Sequence, residues 1–134
     1  MALISKNHSK LAGEFFVGAE LYRRGFNVGI TLGNTEEIDL LAEKDGKQIK
    51  IQVKAIQRKE SICWNIKRNK VKDNIFFVLV NLNAEILTQP EFYILTGGEI
   101  SQKLKLVESG RDYIDLNAVK NVDGFKDNWD KLIF

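Results

Sequence analysis

Four polar side chains, Glu14, Asp39, Gln52 and Lys54, are the ones in this sequence whose types could do chemistry together. Two carboxylates offer hard oxygen donors to a divalent cation such as Mg²⁺ or Mn²⁺, which prefers oxygen and keeps several of its waters. Gln52 adds an amide oxygen without charge, so the set leans on Glu14 as its second acid. Lys54 brings an ammonium that can orient an attacking water or steady a developing phosphorane charge. Hydrolysis of a phosphodiester with a divalent cation asks for this combination. Each side chain also has a plain structural reading: Glu14 as a solvated helix residue, Gln52 bonded across to Asp39, and Lys54 paired with Glu37.

A hairpin must position three of the four. Asp45-Gly46 is a strong two-residue turn signal, because a type I′ turn needs positive φ at both central positions. With Lys44 facing Lys47, cross-strand partners have a constant sum, so Asp39 falls opposite Gln52, Glu37 opposite Lys54, and Ile38 opposite Val53. Alternation then gives Ile38, Leu40, Ala42, Ile49, Ile51, Val53 and Ala55 one face, and Glu37, Asp39, Gln52 and Lys54 the other. Leu41 interrupts the polar face and Ile56 follows Lys54 on it, so that side is expected to be partly covered. Charges held half-buried there need a reason, since an uncompensated buried charge is costly.

The fourth side chain belongs to an opening helix, expected from about Asn7 or Ser9 to Arg24 and ended by Gly25. Its core stripe is expected to be Leu11, Phe15, Ala19 and Tyr22, widened by Phe16. Glu14 shares a face with Lys10, Val17, Gly18 and Leu21, and Gly18 is expected to permit close approach to a sheet. Further strands are expected at Asn27 to Thr31, at Ser61 to Ile66 as an edge, and at Asn74 to Leu82 as the central buried strand. Glu91 to Leu95 and Asp112 to Leu116 complete the strands; Gly98 to Val107 is expected to be a helix, and Asn117 to Val122 a helical turn. Phe125 and Trp129 are expected to pack the carboxyl end onto the sheet.

The whole chain sets the frame. With 134 residues and 44% hydrophobic content it matches one domain over residues 1–134, able to bury a core without disulfides. Its formal charge of +2 neither demands nor excludes a nucleic-acid partner. A single cysteine, Cys63, cannot form an internal disulfide, and the start lacks a secretory core, so a cytoplasmic location is expected. No apolar run is long enough to span a bilayer. His8 and Cys63 lack the spaced partners of a zinc site. The order of elements gives an α/β fold, a mixed β-sheet core flanked by helices.

Glu14 on an opening helix, Asp39 in Ile-Asp-Leu-Leu and Gln52-Val53-Lys54 in the next strand resemble the PD-(D/E)XK nuclease superfamily. The usual motif has an acid where this chain has Gln52, a Gln there being known in some branches, including an intron-encoded homing endonuclease type. The proline of the name is replaced by the neighbourhood Gly33-Asn34-Thr35-Glu36-Glu37. The resemblance covers roughly Ser9 to Ile56. It implies a restriction-endonuclease-like mixed sheet of four core strands and metal-dependent cleavage of nucleic acid, DNA favoured. It also implies Mg²⁺ or Mn²⁺ held by Glu14, Asp39 and Gln52, assistance by Lys54, and the dimerisation frequent in the superfamily, here as a homodimer.

Basic residues follow the last motif strand. Arg58-Lys59 and Lys67-Arg68-Asn69-Lys70-Val71-Lys72 flank Trp64. Lys67, Arg68 and Lys70 are candidates to contact phosphates, and Trp64 to stack on an unpaired base. The rival reading is a solvated charge run. A rival for the whole chain is a non-catalytic nucleic-acid-binding or protein-binding module on the same scaffold.

Overall fold

In the computed structural model, which describes residues 3–31, 38–58 and 63–133, Asp45 and Gly46 take φ of 53° and 78°. Both are positive, as the Asp-Gly turn requires. The turn joins β2 (Leu40–Lys44) to β3 (Lys47–Ile56) and sets Lys44 opposite Lys47 and Leu40 opposite Ile51, the expected register. Glu37 and the Gly33 to Glu36 segment lie outside the described residues, and with them the expected pairing of Glu37 with Lys54.

Five strands form the main sheet. β1 (Asn27–Ile30), β5 (Ile75–Asn81) and β6 (Glu91–Thr96) join the hairpin in the order β1-β2-β3-β5-β6. β3 and β5 run parallel and the other neighbours antiparallel, so the sheet is mixed. The middle strand is β3, with β5 beside it. β5 is buried on both faces, which is why Ile75-Phe76-Phe77-Val78-Leu79-Val80 is apolar without alternation. The described sheet has one strand more than the four expected, because Asn27–Ile30 pairs with β2.

β4 (Cys63–Asn65) does not extend this sheet, contrary to expectation. It pairs with β7 (Tyr113–Asp115) in a two-stranded sheet, Trp64 opposite Ile114. Trp64 is buried in the core that also holds Ile56, Phe77, Leu79, Tyr93 and Ile100, and its Nε1–H donates to Val80 O at 3.0 Å. A base cannot stack on it.

α1 (Lys6–Arg23) covers the opposite face, where Val17 and Leu21 meet Leu40, Ala42, Ile49, Ile51 and Val53. Ser5 caps it, its Oγ accepting the His8 N–H at 3.0 Å. The buried face is Ser9, Gly13, Glu14, Val17, Gly18 and Leu21. The expected stripe is therefore corrected: Leu11, Phe15, Phe16, Ala19 and Tyr22 are exposed, Phe15 at 63%. The physical reason is closeness. A Cβ on Gly13 would stand 2.9 Å from the Ala55 Cβ, a gap that the bulkier stripe would prop open. Gly13, and not Gly18, is the point of approach; at Gly18 no described atom lies within 4 Å of such a Cβ.

Ile38 packs with the second core and not with Leu40, so strict alternation fails just before β2 begins. α2 (Gly97–Lys103) opens with a Thr96–Glu99 capping box. It stops short of the expected Val107 because Lys105 and Tyr113 exchange backbone hydrogen bonds of 2.7 and 3.0 Å. The expected turn after Asp115 is a short 3₁₀ segment, Leu116–Ala118. Trp129 and Phe125 are buried on opposite sides of the sheet, as the carboxyl end was expected to pack. No helix among the described residues is long and apolar enough to cross a membrane.

Candidate active site

The site forms where β2 and β3 part. Leu40 opposite Ile51 is the last described pair of that ladder, and Asp39 N–H still reaches Ile51 O at 2.9 Å. The next donor on that edge of β3, the Val53 N–H, goes to the Asp39 carboxylate, Oδ2, at 2.8 Å. One hydrogen bond thus fixes the acid against the strand that carries Gln52 and Lys54. Asp39 is only 7% exposed. Burial raises its pKa above the ordinary carboxylate value, opposed by the Val53 bond and by the charges of Lys10 and Lys54.

Glu14 reaches the same place from α1. It is 2% exposed, and its Oε2 accepts no hydrogen bond among the described residues. Lys10 Nζ stands 3.7 Å away, one helical turn earlier. Burial raises the Glu14 pKa, and the neighbouring Asp39 charge raises it further. The two acids therefore lie within each other's field.

Gln52 is 4% exposed, and its Oε1 is buried. Lys54 is half-buried. Burial lowers its pKa, Asp39 opposes that, and Lys10 and Lys67 add to it by repulsion. The structure brings all four sequence candidates into one electrostatic neighbourhood or, for Gln52, one cleft. That cleft has a volume of about 560 Å³ and is lined by Lys6, Gln52, Lys54, Lys67, Lys70 and Arg111, among others.

The three basic candidates separate. Lys67 and Lys70 line the cleft. Arg68 instead grips Asp112, its Nε donating to Oδ2 at 2.8 Å and its Nη2 to Oδ1 at 2.7 Å. Lys6 and Arg111 were missed by sequence reasoning. Lys6 precedes the motif, and Arg111 lies far beyond it in a Ser-Gly-Arg-Asp turn whose composition signals a loop but not a location.

A hard divalent cation fits this donor set. Glu14 Oε2 is a dry carboxylate oxygen with no described donor, and Asp39 and Gln52 supply further oxygens. Among the described residues no three His, Cys, Asp or Glu side chains gather as a metal-binding group. A third oxygen donor would be the Gln52 amide.

A mixed sheet with buried Asp39 beside its hairpin, buried Glu14 on the helix packed against it, and Gln52 and Lys54 lining a basic cleft defines a nuclease-like α/β domain. The sequence model of the family described as PD-(D/E)XK endonuclease matches residues 6–80, more than half of the chain, and the chain belongs to that family. The fold is restriction-endonuclease-like. A bacterial homing endonuclease, I-Ssp6803I, is similar with a TM-score of 0.56 at 22% identity, over 72% of this chain and 70% of that one. The Holliday junction resolvase Hjc of Archaeoglobus fulgidus is similar with a TM-score of 0.57 at 15% identity, over 83% of this chain and 87% of that one. Both are likenesses of fold. No curated protein matches the chain.

Proposed function

We propose that this chain, as one domain over residues 1–134, hydrolyses phosphodiester bonds in nucleic acid, DNA favoured, with Mg²⁺ or Mn²⁺ held by Glu14, Asp39 and Gln52. The observation that carries the reading is the burial of Glu14 and Asp39 within each other's field and that of Lys54, which lines a basic cleft. Two acids held so close with raised pKa values are relieved by a cation, whereas nothing in core packing calls for them.

When bound, the cation would polarise the phosphate and lower the pKa of an attacking water. The chain's own groups do the rest. The Val53 N–H holds Asp39 in one orientation. Lys10 balances part of the charge on Glu14. The Lys54 ammonium, poorly solvated, sits where it can orient the water or steady the phosphorane. Gln52 in the place of an acid resembles the Gln-bearing branch of the superfamily. The similar structures being a homing endonuclease and a Holliday junction resolvase supports DNA as substrate. A cytoplasmic location and a homodimer go with this reading.

The test is cleavage of duplex, branched and single-stranded DNA and of RNA with Mg²⁺ or Mn²⁺. Lys54→Ala and Asp39→Ala each abolish it. Activity that survives both changes overturns the reading. The neutral Gln52, which leaves two carboxylates, favours a second reading: a binding module on the nuclease scaffold. That module binds nucleic acid without metal, and Lys54→Ala leaves its affinity intact.

A further inference from the structure

We infer that the turn Val107 to Asp112 is a second phosphate-contacting element, in which Arg111 grips the nucleic-acid backbone beside the site and Arg68 serves to hold the turn in place. The inference rests on the nucleic-acid reading above and adds a contact that lies outside residues 6–80 matched by the family.

Three observations carry it. The first is the anchoring of the turn. Asp112 is 1% exposed, and besides the Arg68 guanidinium it accepts the backbone N–H of Arg68 at 3.1 Å and of Val107 at 2.9 Å. Arg68 Nη2 also donates to Val107 O at 2.9 Å. Both ends of the turn are thereby tied to one arginine. Gly110, at φ 84°, closes it with its N–H on Val107 O at 2.9 Å, a backbone conformation that glycine adopts at no steric cost.

The second observation is where the turn points. Gly110 and Arg111 line the cleft that holds Gln52, Lys54 and Lys67. A shallower recess of about 550 Å³ continues along Lys67, Ser109 and Arg111. The surface thus runs on from the site past the turn, as a polymer needs and a small anion does not.

The third observation is the charge balance. Lys6, Lys54, Lys67, Lys70 and Arg111 line the cleft, and the acid among its lining residues, Asp112, is already spent on Arg68. Arg111 makes no hydrogen bond or ion pair among the described residues. A molecule with a formal charge of only +2 has gathered cations on one wall. A planar guanidinium there matches a phosphate in two-point fashion. The opposite roles of the neighbouring arginines follow: Arg68 is a positioning residue and Arg111 the contact.

The test is binding of fluorescein-labelled duplex and single-stranded oligonucleotides to the full chain in EDTA, titrated with salt. Arg111→Ala weakens binding roughly fivefold to tenfold near 0.1 M salt and reduces the slope of log affinity against log salt by about 0.9 for duplex or 0.7 for a single strand. Arg111→Lys keeps the slope. Arg68→Lys, which loses the two-point grip on Asp112, weakens binding and increases proteolytic cutting between Val107 and Asp112, a readout that loss of a simple surface charge would not move. Arg23→Ala, an exposed change on α1, is the control and alters neither. An unchanged slope in Arg111→Ala, with the unaltered chain binding normally, overturns the contact while leaving the nuclease reading standing. Failure of the unaltered chain to bind any oligonucleotide overturns both.

Discussion

Gly13 of α1 lies so close to Ala55 of β3 that a Cβ built on it would stand 2.9 Å from the Ala55 Cβ. This approach decides how the site is assembled, because the residue after Gly13 is the buried acid Glu14 and the residue before Ala55 is Lys54. Helix and strand bring the two groups together by touching at their smallest side chains.

Gly13→Val therefore wedges α1 away from β3. Overpacking of this kind costs about 1–3 kcal/mol, read as a lower urea midpoint. Cleavage falls further than the lost stability explains, since Glu14 moves with the helix. A midpoint equal to that of the unaltered chain would show the contact to be slack.

Glu14 and Asp39 oppose the stability of the fold at neutral pH. Burial raises both pKa values from the ordinary 4.5 and 3.8. A raised folded pKa gives stability that is present in full below the unfolded value and lost as pH rises through the folded value. At pH 7 the ionised pair is thus a liability, and Glu14→Gln or Asp39→Asn raises the thermal midpoint by roughly 2–5 °C. The gain disappears toward pH 4. Cleavage drops on the order of 10²-fold or more. On the proposed cation site, added Mg²⁺ is expected to raise the midpoint of the unaltered chain, since a ligand of the folded state stabilises it, and to raise neither variant's. Scanning calorimetry at two pH values with and without Mg²⁺ checks all of this.

Lys54 titrates below the ordinary 10.5, because burial disfavours its ammonium. A depressed folded pKa gives stability present above the unfolded value and lost as pH falls through the folded value, so charged Lys54 weakens the fold at neutral pH. Lys54→Met is expected to raise the urea midpoint at pH 7 while abolishing cleavage. The cleavage rate of the unaltered chain declines on the alkaline side at a pH below 10.5. Lys54→Arg keeps its charge and moves that decline upward, whatever its absolute rate.

Trp64→Phe removes the indole bond to Val80 O, a carbonyl that stays within the β3–β5 ladder, at a cost of about 0.5–1.5 kcal/mol. Affinity for single-stranded oligonucleotides stays within twofold, measured by fluorescence anisotropy. A large loss of affinity in a variant that still folds would restore Trp64 as a stacking platform.

What the sequence determined by itself was local. Asp45-Gly46 fixes a turn through backbone sterics, and the turn fixes the register of Leu40–Lys44 on Lys47–Ile51 and puts Gln52 and Lys54 on one face. The expected place of Asp39 opposite Gln52 was not fixed by it: Asp39 lies just before the ladder, its N–H on Ile51 O, and Ile38 turns to the other core. The face that α1 buries was not legible in the sequence. Residues 11, 15, 19 and 22 and residues 13, 14, 17, 18 and 21 both recur at helical spacing, and hydropathy favours the first set. Only the approach of Gly13 to Ala55 selects the second.

Tertiary structure also decided the basic wall. Trp64 pairs across to Ile114 and Arg68 to Asp112, contacts between residues more than forty positions apart that no local propensity encodes. They bury one expected nucleic-acid contact, engage another, and bring Arg111 to the cleft. Short-range sterics set the hairpin, whereas the choice between competing faces and distant partners depends on which arrangement closes the core around β3.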